Sequence, residues 1–339
     1  MVKSNSHDGA EVVKKRGNFL ANIFRVPEVS VFFVLIVISL VFYGLSPVFL
    51  SPDSITTMLR AMSFTGVVLV GQTILLITGA FDLSVGSTAG LAAIVCSYVM
   101  VHLEQLPDSV AVLLGILAGL IVGLVVGLFN SFVVIRLEVP AFIATLGMLN
   151  IAKGITFLIS KGYTIYPLPE AIKTFGTAEP LNISWSFFIF LIMVFVAHFT
   201  LSRTVFGREL YVVGGNKDVA YLAGIDPRKI QMSGFVIAGI CASIGGMLMM
   251  SRIAIGNPTI GLGWELNVIA GAVIGGVSLF GGRGSIIGAV LGLAIMQVVT
   301  SGLVVTGLDP YWQTVAVGLL MIVAVAVDVL RGKSKMLSS

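Results

Sequence analysis

The sequence predicts an all-α fold: a polytopic transmembrane helical bundle of about ten spans, both termini cytoplasmic, with one short helix in a cytoplasmic loop. Three observations lead there. Of 339 residues, 57% are hydrophobic and 11% charged, against roughly 25% charged in a soluble domain. Many runs approach or exceed the ~18 apolar residues that suggest a spanning helix, among them "VSVFFVLIVISLVFYGLSPVFL" from Val29 and "VAVLLGILAGLIVGLVVGLFNSFVVI" from Val110. The charges, finally, gather between such runs and at the chain ends. A large soluble protein with a buried helical core would need charged outer faces on most helices, and those are missing.

The expected spans are 30–50, 61–79, 85–102, 110–135, 140–160, 184–201, 231–253, 265–280, 286–305 and 311–329. Lys3, Lys14, Lys15, Arg16 and Arg25 precede the first, and Arg331, Lys333 and Lys335 follow the last. With Arg136, Arg203, Arg208, Lys217, Arg228, Lys229 and Arg283 they fall on one side. Arg60, Lys161, Lys173 and Arg252 fall on the other, and Lys153 lies inside a span. That bias, roughly three to one, is the positive-inside signal, and it explains the net charge of +4 without nucleic acid. The first apolar run is too long for a cleaved signal peptide and lacks a small-residue cleavage site, so it reads as a retained anchor. The chain divides into a cytoplasmic segment 1–28, one transmembrane domain 29–330 with a cytoplasmic loop at 202–230, and a cytoplasmic tail 331–339. Cys96 and Cys241 sit in apolar runs as small hydrophobes.

Glycine follows a packing logic. Gly115, Gly119, Gly123 and Gly127 share one helix face, and Gly284, Gly288 and Gly292 repeat the spacing. In lipid, small faces that let backbones approach drive helix association; packing within the chain and contact with a second subunit both use such faces. "FDLSVGSTAGLAAIV" and "FGGRGSIIGAVLGLA" echo each other faintly, as inherited repeats in transport proteins do. The outer connection 161–184 holds three prolines, Glu170 and Glu179, with a short helix expected between Pro169 and Phe175. It reads as a solvated connection or as the seat of an extracellular partner.

Chemistry within the chain is disfavoured. "RGKS" at 331–334 ends like a phosphate loop, but the required first glycine is Val327. "GGRGSIIG" lacks the βαβ setting of a dinucleotide loop, with Ile287 where a glycine is required. His7, His102 and His198 are far apart, so no metal site is expected, and no nucleophile elbow appears. Ion coupling would need several buried carboxylates in a relay, and Asp82 and Glu265 are the only members available.

Five residues are candidates for a solute path. Asp82 either caps the helix starting near Val85 or marks a broken helix facing a polar pathway. Trp264, Glu265 and Asn267 are placed at the outer mouth of the eighth span. There, carboxylate beside indole suits a sugar, and interfacial anchoring suits Trp264 equally. Gln72, with Asn130 and Asn150, is a polar group at a span position that either lines a path or bonds between helices.

The loop "GRELYVVGGNKDVAYLAGIDPRKIQ" is the charged exception in an apolar chain. Asn216 to Gly224 forms about two helical turns ending on a glycine, and Pro227 blocks continuation. Such a bracketed helix suits a peg for a cytoplasmic partner. At these residues the sequence resembles the permease subunits of bacterial ABC importers for monosaccharides, the ribose-type family. Its loop reads approximately G-G-N-x-E-A-A-x-x-x-G-I; here it is "GGNKDVAYLAGI", with Asp218, Val219 and Ala220 in the Glu-Ala-Ala places. "FGRELYVVGGN", "FDLSVGS", "PAFIATLGML", "GLGWELNVIAGAVIGGVSLFGGRGSIIGAVLG" and "AVDVL" extend the likeness in order along the chain; Phe81 stands where isoleucine is usual.

The resemblance implies a multi-pass protein of the bacterial inner membrane, set in lipid. It implies a path formed by two permeases, as a homodimer or with a related subunit. A cytoplasmic ATP-binding subunit would carry ATP and Mg, this chain holding no cofactor, and a periplasmic or lipid-anchored binding protein would deliver substrate. Asp218, Ala220 and Gly224 would couple ATP-driven closure to the path, with Gly207, Arg208 and Asn216 positioning the coupling helix. Alternatives are a related permease for nucleosides, a sugar-like signalling molecule or branched-chain amino acids. A stand-alone secondary carrier or channel is a further one, and a structural membrane protein stands behind them all.

Overall fold

The computed structural model describes residues 27–309 and 311–336. The five N-terminal bases and most of segment 1–28 lie outside the described residues, as do 337–339 of the tail. The helices are α1 (Pro27–Leu45), α2 (Pro52–Ile77), α3 (Val85–His102), α4 (Asp108–Ser131), α5 (Ala141–Ser160), α6 (Glu170–Thr177), α7 (Trp185–Arg203), α8 (Val205–Gly215), α9 (Lys217–Leu222), α10 (Pro227–Ile253), α11 (Trp264–Ile274), α12 (Ile286–Val305) and α13 (Tyr311–Met336). In lipid, backbone polar groups must bond within their own segment, which makes helix the default for every apolar run. Polar caps set the starts. Ser51, Ser184, Thr204, Asn216, Asp226 and Ser285 each accept a bond from a first-turn backbone N–H, and proline follows at N1 in α2 and α10, where no N–H is needed.

The long helix α10 is the hub, packing on α2, α3 and α4. Around it, α5 packs on α3, α7 on α2, and α12 on α2, α11 and α1. The outer faces carry exposed Phe32, Phe33, Leu117, Ile121, Phe142 and Phe195, as lipid-facing helices should. Packing within the chain explains the glycine face of α4. Gly115 lies on Met100 and the Cys96 carbonyl, Gly119 on Met247 and the Ala92 carbonyl, Gly123 on Gly239 and Ser243, and Gly127 on the Phe235 carbonyl. Gly288 and Gly292 meet the Gly275 and Gly271 carbonyls in the same way. A Cβ at Gly123 would overlap the Gly239 carbonyl, whereas one at Gly147 meets nothing within 4 Å. Gly123→Val is therefore expected to lower the stability of the solubilised protein by about 1–3 kcal/mol, the usual cost of overpacking. Gly147→Val should leave the melting temperature nearly unchanged.

Among the described residues, nine helices are long and apolar enough to cross a membrane. The tenth expected span, 265–280, is not a full helix. It is α11, 11 residues long, or about 16 Å at 1.5 Å per residue, half of a ~30 Å core. The cause is local. Pro258 and the left-handed Ala254, Gly261 and Gly263 stop helix before Trp264, and Gly275 and Gly276 stop it after Ile274. The missing half is supplied by the non-helical stretch 256–263, which runs along α3. Gly256 packs on Ser97, the Ile260 carbonyl on Gly90, and Gly261 on Gly86. Nine helices and one half-unwound crossing thus make ten passages. In keeping, the start of α1 and the C-terminal half of α13 both lie against the 278–285 loop: Glu28 accepts a 2.6 Å bond from Ser285, and Asp328 accepts one of 3.1 Å from the Leu279 N–H.

Other boundaries differ too: the span expected at 61–79 is α2, which begins at Pro52 and ends at Ile77. The helix expected between Pro169 and Phe175 is α6, running two residues further. Its loop is packed on one face and exposed on the other, where Tyr163 and Tyr166 lie open. Leu168 and Ile172 are buried, Ile165 pairs with Gly256 through bonds of 2.8 and 3.0 Å, and Glu179 joins Arg60 and Arg252 in an ion cluster. The two echoing segments are out of register, since Gly86 and Ser87 lie inside α3 while Ser285 caps α12 from outside.

Candidate functional site

Polar chemistry gathers in two places, and glycine geometry builds both. The first is the depth at which α3 and α11 begin. After α2 ends, Gly79 takes φ +80° and the chain stays unwound to Ser84. Asp82 is fully buried there. It accepts bonds of 2.6 Å from both the Ser84 N–H and the Ser84 hydroxyl, and one of 3.0 Å from Asn130 Nδ2 across on α4. Asp82 therefore fixes the turn and ties it to α4, and it does not cap the N2 or N3 donors of α3 as a simple cap would.

Glu265 lies against Gly86, in the first turn of α3. Trp264 is partly buried and approaches Gly245 of α10, eight residues or about 12 Å from the end of α10 at Ile253. These two, with part-buried Asn267 one turn further along, sit well inside the bundle. That corrects their expected place at the outer mouth, and the reason is the unwound 256–263 stretch that carries the chain inward before the helix starts. Gln72, fully buried on α2, has neither amide atom hydrogen-bonded among the described residues. Such a group carries a penalty of about 1–3 kcal/mol unless a solute or water meets it. Among the described residues, no three His, Cys, Asp or Glu side chains gather as a metal site.

The second place is the α8–α9 platform. Gly207 is buried against Thr200 and Leu201, too close for any side chain, and Thr204 caps its N–H at 3.0 Å. Arg208 beside it is exposed. Asn216 caps α9 by accepting from the Asp218 and Val219 N–H groups at 2.9 and 3.1 Å. Ala220 is the buried foot of this helix. Gly224, at φ +81°, ends it, with its N–H on the Tyr221 carbonyl and the Ile225 N–H on the Ala220 carbonyl, each 3.0 Å. Val219, Tyr221 and Leu222 are 55, 74 and 85% exposed and form an apolar knob.

The platform is bolted to the turn after α2 and to the 278–285 loop by contacts that sequence reading missed. At Gly214 a Cβ would overlap the Ile77 carbonyl and lie 2.6 Å from the Gly282 nitrogen, and the Gly282 N–H donates to Ile77 at 2.9 Å. Gly79 and Gly281 complete this knot. Lys217 Nζ donates to Gln231 Oε1 at 3.1 Å, and Gln231 Nε2 donates to the Thr78 carbonyl at 3.2 Å. Partial burial pushes the Lys217 pKa below its ordinary value. The Tyr211 hydroxyl donates to the Gly284 carbonyl at 2.8 Å; burial, then the Glu28 charge, raises its pKa. Both hydrogen-bonded links end on backbone carbonyls far along the chain, and Gln231 at the polar edge of an apolar run was the one available signal.

Comparison with known proteins places the chain in a family. Residues 54–325 match the family described as branched-chain amino acid transport system / permease component. The chain is 32% identical to the ribose import permease protein RbsC of Haemophilus influenzae, covering 94% of this chain and 98% of that one. It is 34% identical to the D-allose transport system permease protein AlsC of Escherichia coli, covering 89% and 91%. It is 32% identical to the autoinducer 2 import system permease protein LsrC of an Enterobacter strain, covering 89% and 86%. No solved structure matches the chain. The chain belongs to the branched-chain amino acid transport system / permease component family, as a ribose-type ABC importer permease of the bacterial inner membrane.

Proposed function

We propose that this chain forms the translocation path for a monosaccharide, a pentose, hexose or related polyol, and drives it by coupling to a separate ATPase. The observation that carries the reading is the exposed knob of Val219, Tyr221 and Leu222 on a helix whose root is tied to Ile77, Thr78 and Gly282. A push on α9 would reach the start of the unwound turn after α2 through Lys217 and Gln231, and the 278–285 loop through the backbone contacts of Gly214. The positive-inside bias supports placing this face, and with it both termini, in the cytoplasm. There an ATP-binding subunit would bind ATP and Mg, this chain supplying no cofactor site. A second permease copy or a related one completes the path, and a periplasmic or lipid-anchored binding protein loads it.

Gln72, Asp82, Trp264, Glu265 and Asn267 are the proposed path set. Buried amide, carboxylate and indole suit hydroxyls and C–H faces of a sugar. The test is uptake of labelled pentoses and hexoses, with a nucleoside and a sugar-like signal as comparators, in a strain lacking this permease and then complemented. Restored, ATP-dependent uptake of one sugar is expected; restoration of none, or of the comparators alone, overturns the reading. In the complemented strain, Glu265→Gln should raise the half-saturating concentration about tenfold, the value of one charge-assisted hydrogen bond. An unchanged value removes Glu265 from the path.

A further inference from the structure

Beside the platform, a pocket of about 380 Å³ opens between the ends of α4 and α10. Leu128, Phe132 and Met232 form its apolar wall, and Arg136, Arg228 and Lys229 line it as well. The wall continues a lipid-facing stripe, because Leu113, Leu117, Ile121 and Val125 are exposed on α4 at the three- and four-residue spacing that leads to Leu128 and Phe132. At the pocket the helix changes form. Phe132–Arg136 is a π turn, closed by the Leu137 N–H on the Phe132 carbonyl at 3.2 Å, and such turns recur at functional sites.

The charges at this edge are unevenly matched. Among the described residues, Arg136 and Arg228 have no carboxylate within ion-pair distance. Asp226 spends one oxygen on the Arg228 N–H at 3.0 Å and holds the other 3.8 Å from Lys229 Nζ. Glu138 is the other carboxylate near this edge in sequence, and it is exposed. An apolar wall continuous with the bilayer face, meeting cations where two spans end, complements a phosphodiester with acyl chains, since basic pockets between spanning helices bind anionic headgroups.

We propose that this pocket binds an anionic phospholipid, its phosphate between Arg136 and Arg228 and an acyl chain along Leu128, Phe132 and Met232. The site is independent of what the permease carries.

The test uses the full chain, purified and delipidated, in native mass spectrometry with phosphatidylglycerol, phosphatidylcholine or glycerol phosphate added. Each cation near an anionic headgroup contributes roughly a fivefold preference, about 1 kcal/mol, so phosphatidylglycerol should bind at least ~10-fold tighter than phosphatidylcholine. Arg136→Gln with Arg228→Gln should remove most of that ratio. Phe132→Ala should weaken both lipids and leave the ratio intact, and glycerol phosphate should not bind measurably. Equal binding of the two lipids by wild type overturns the proposal, as does a ratio that survives the double variant. Glycerol phosphate binding as tightly as the lipid would make this a free-anion site instead. A double variant that keeps the ratio but no longer captures the ATPase or a second copy would make it a protein interface. Should that variant fail to fold, a photoactivatable phosphatidylglycerol on the wild type decides: label in 128–136 and 228–232 supports the site, and label elsewhere sinks it.

Discussion

Gly224→Pro is expected to cut substrate uptake to about one hundredth while the protein inserts at normal yield. Gly224 holds φ +81° and its N–H bonds to Tyr221. Proline fixes φ near −65° and has no N–H, a combination that costs about 3 kcal/mol where it is not tolerated. The loss falls on the one turn that orients Tyr221 and Leu222, not on any spanning helix. Gly224→Ala keeps the N–H and strains only φ, at roughly 1–2 kcal/mol, so its uptake should fall between the two. Reconstituted with the ATPase and binding protein, the proline variant should lose substrate-stimulated hydrolysis together with transport. Normal stimulation would separate α9 from coupling.

Gly214→Val should do something different and more severe: it should deprive the cell of folded protein. The new Cβ would overlap the Ile77 carbonyl and crowd the Gly282 nitrogen. Both obstacles are backbone, so three chain segments must move together, and a loss of about 3 kcal/mol or more is expected from overpacking. Gly215, the next residue, faces open space and is the last residue of α8. Gly215→Ala should be neutral or slightly stabilising, since glycine is the poorer helix former by up to ~1 kcal/mol. Melting curves of the solubilised pair check this. Equal behaviour of the two neighbours would mean that the Gly79–Gly214–Gly282 knot is not a structural lock.

What could be read from the sequence depended on the range of each signal. Apolar runs mark helices in lipid regardless of partners, and α1, α3, α5, α7, α10, α12 and α13 follow. Asn216, Gly224 and Pro227 delimit α9 by local rules. The eighth span misled because "WELNVIAGAVIGGVSLF" is apolar from Val268 on, Ser278 apart, and hydropathy does not distinguish a full helix from a half helix and a turn. The breakers Pro258, Gly261 and Gly263 lay just upstream, where they read as an outer loop. Helix α8 escaped because Arg208 and Glu209 made its segment look like solvated loop. Asp82 with Asn130, and Gln231 with Thr78, join positions 48 and 153 residues apart, which no local pattern reveals.

The half-unwound crossing has a mechanical consequence. A helix that shifts along its neighbour must carry its whole hydrogen-bond ladder as a rod. The 256–263 stretch has no helical ladder: beyond the Ile165–Gly256 pair at its outer end it holds short turns closed around Asn257, Thr259 and Gly261, and Gly90 and Gly86 beside it bear no side chains. With its outer end held by the Ile165–Gly256 pair, that strip is expected to flex at its turns if α11 tilts, which would change the depth of Trp264 and Glu265 while every full-length span keeps its length.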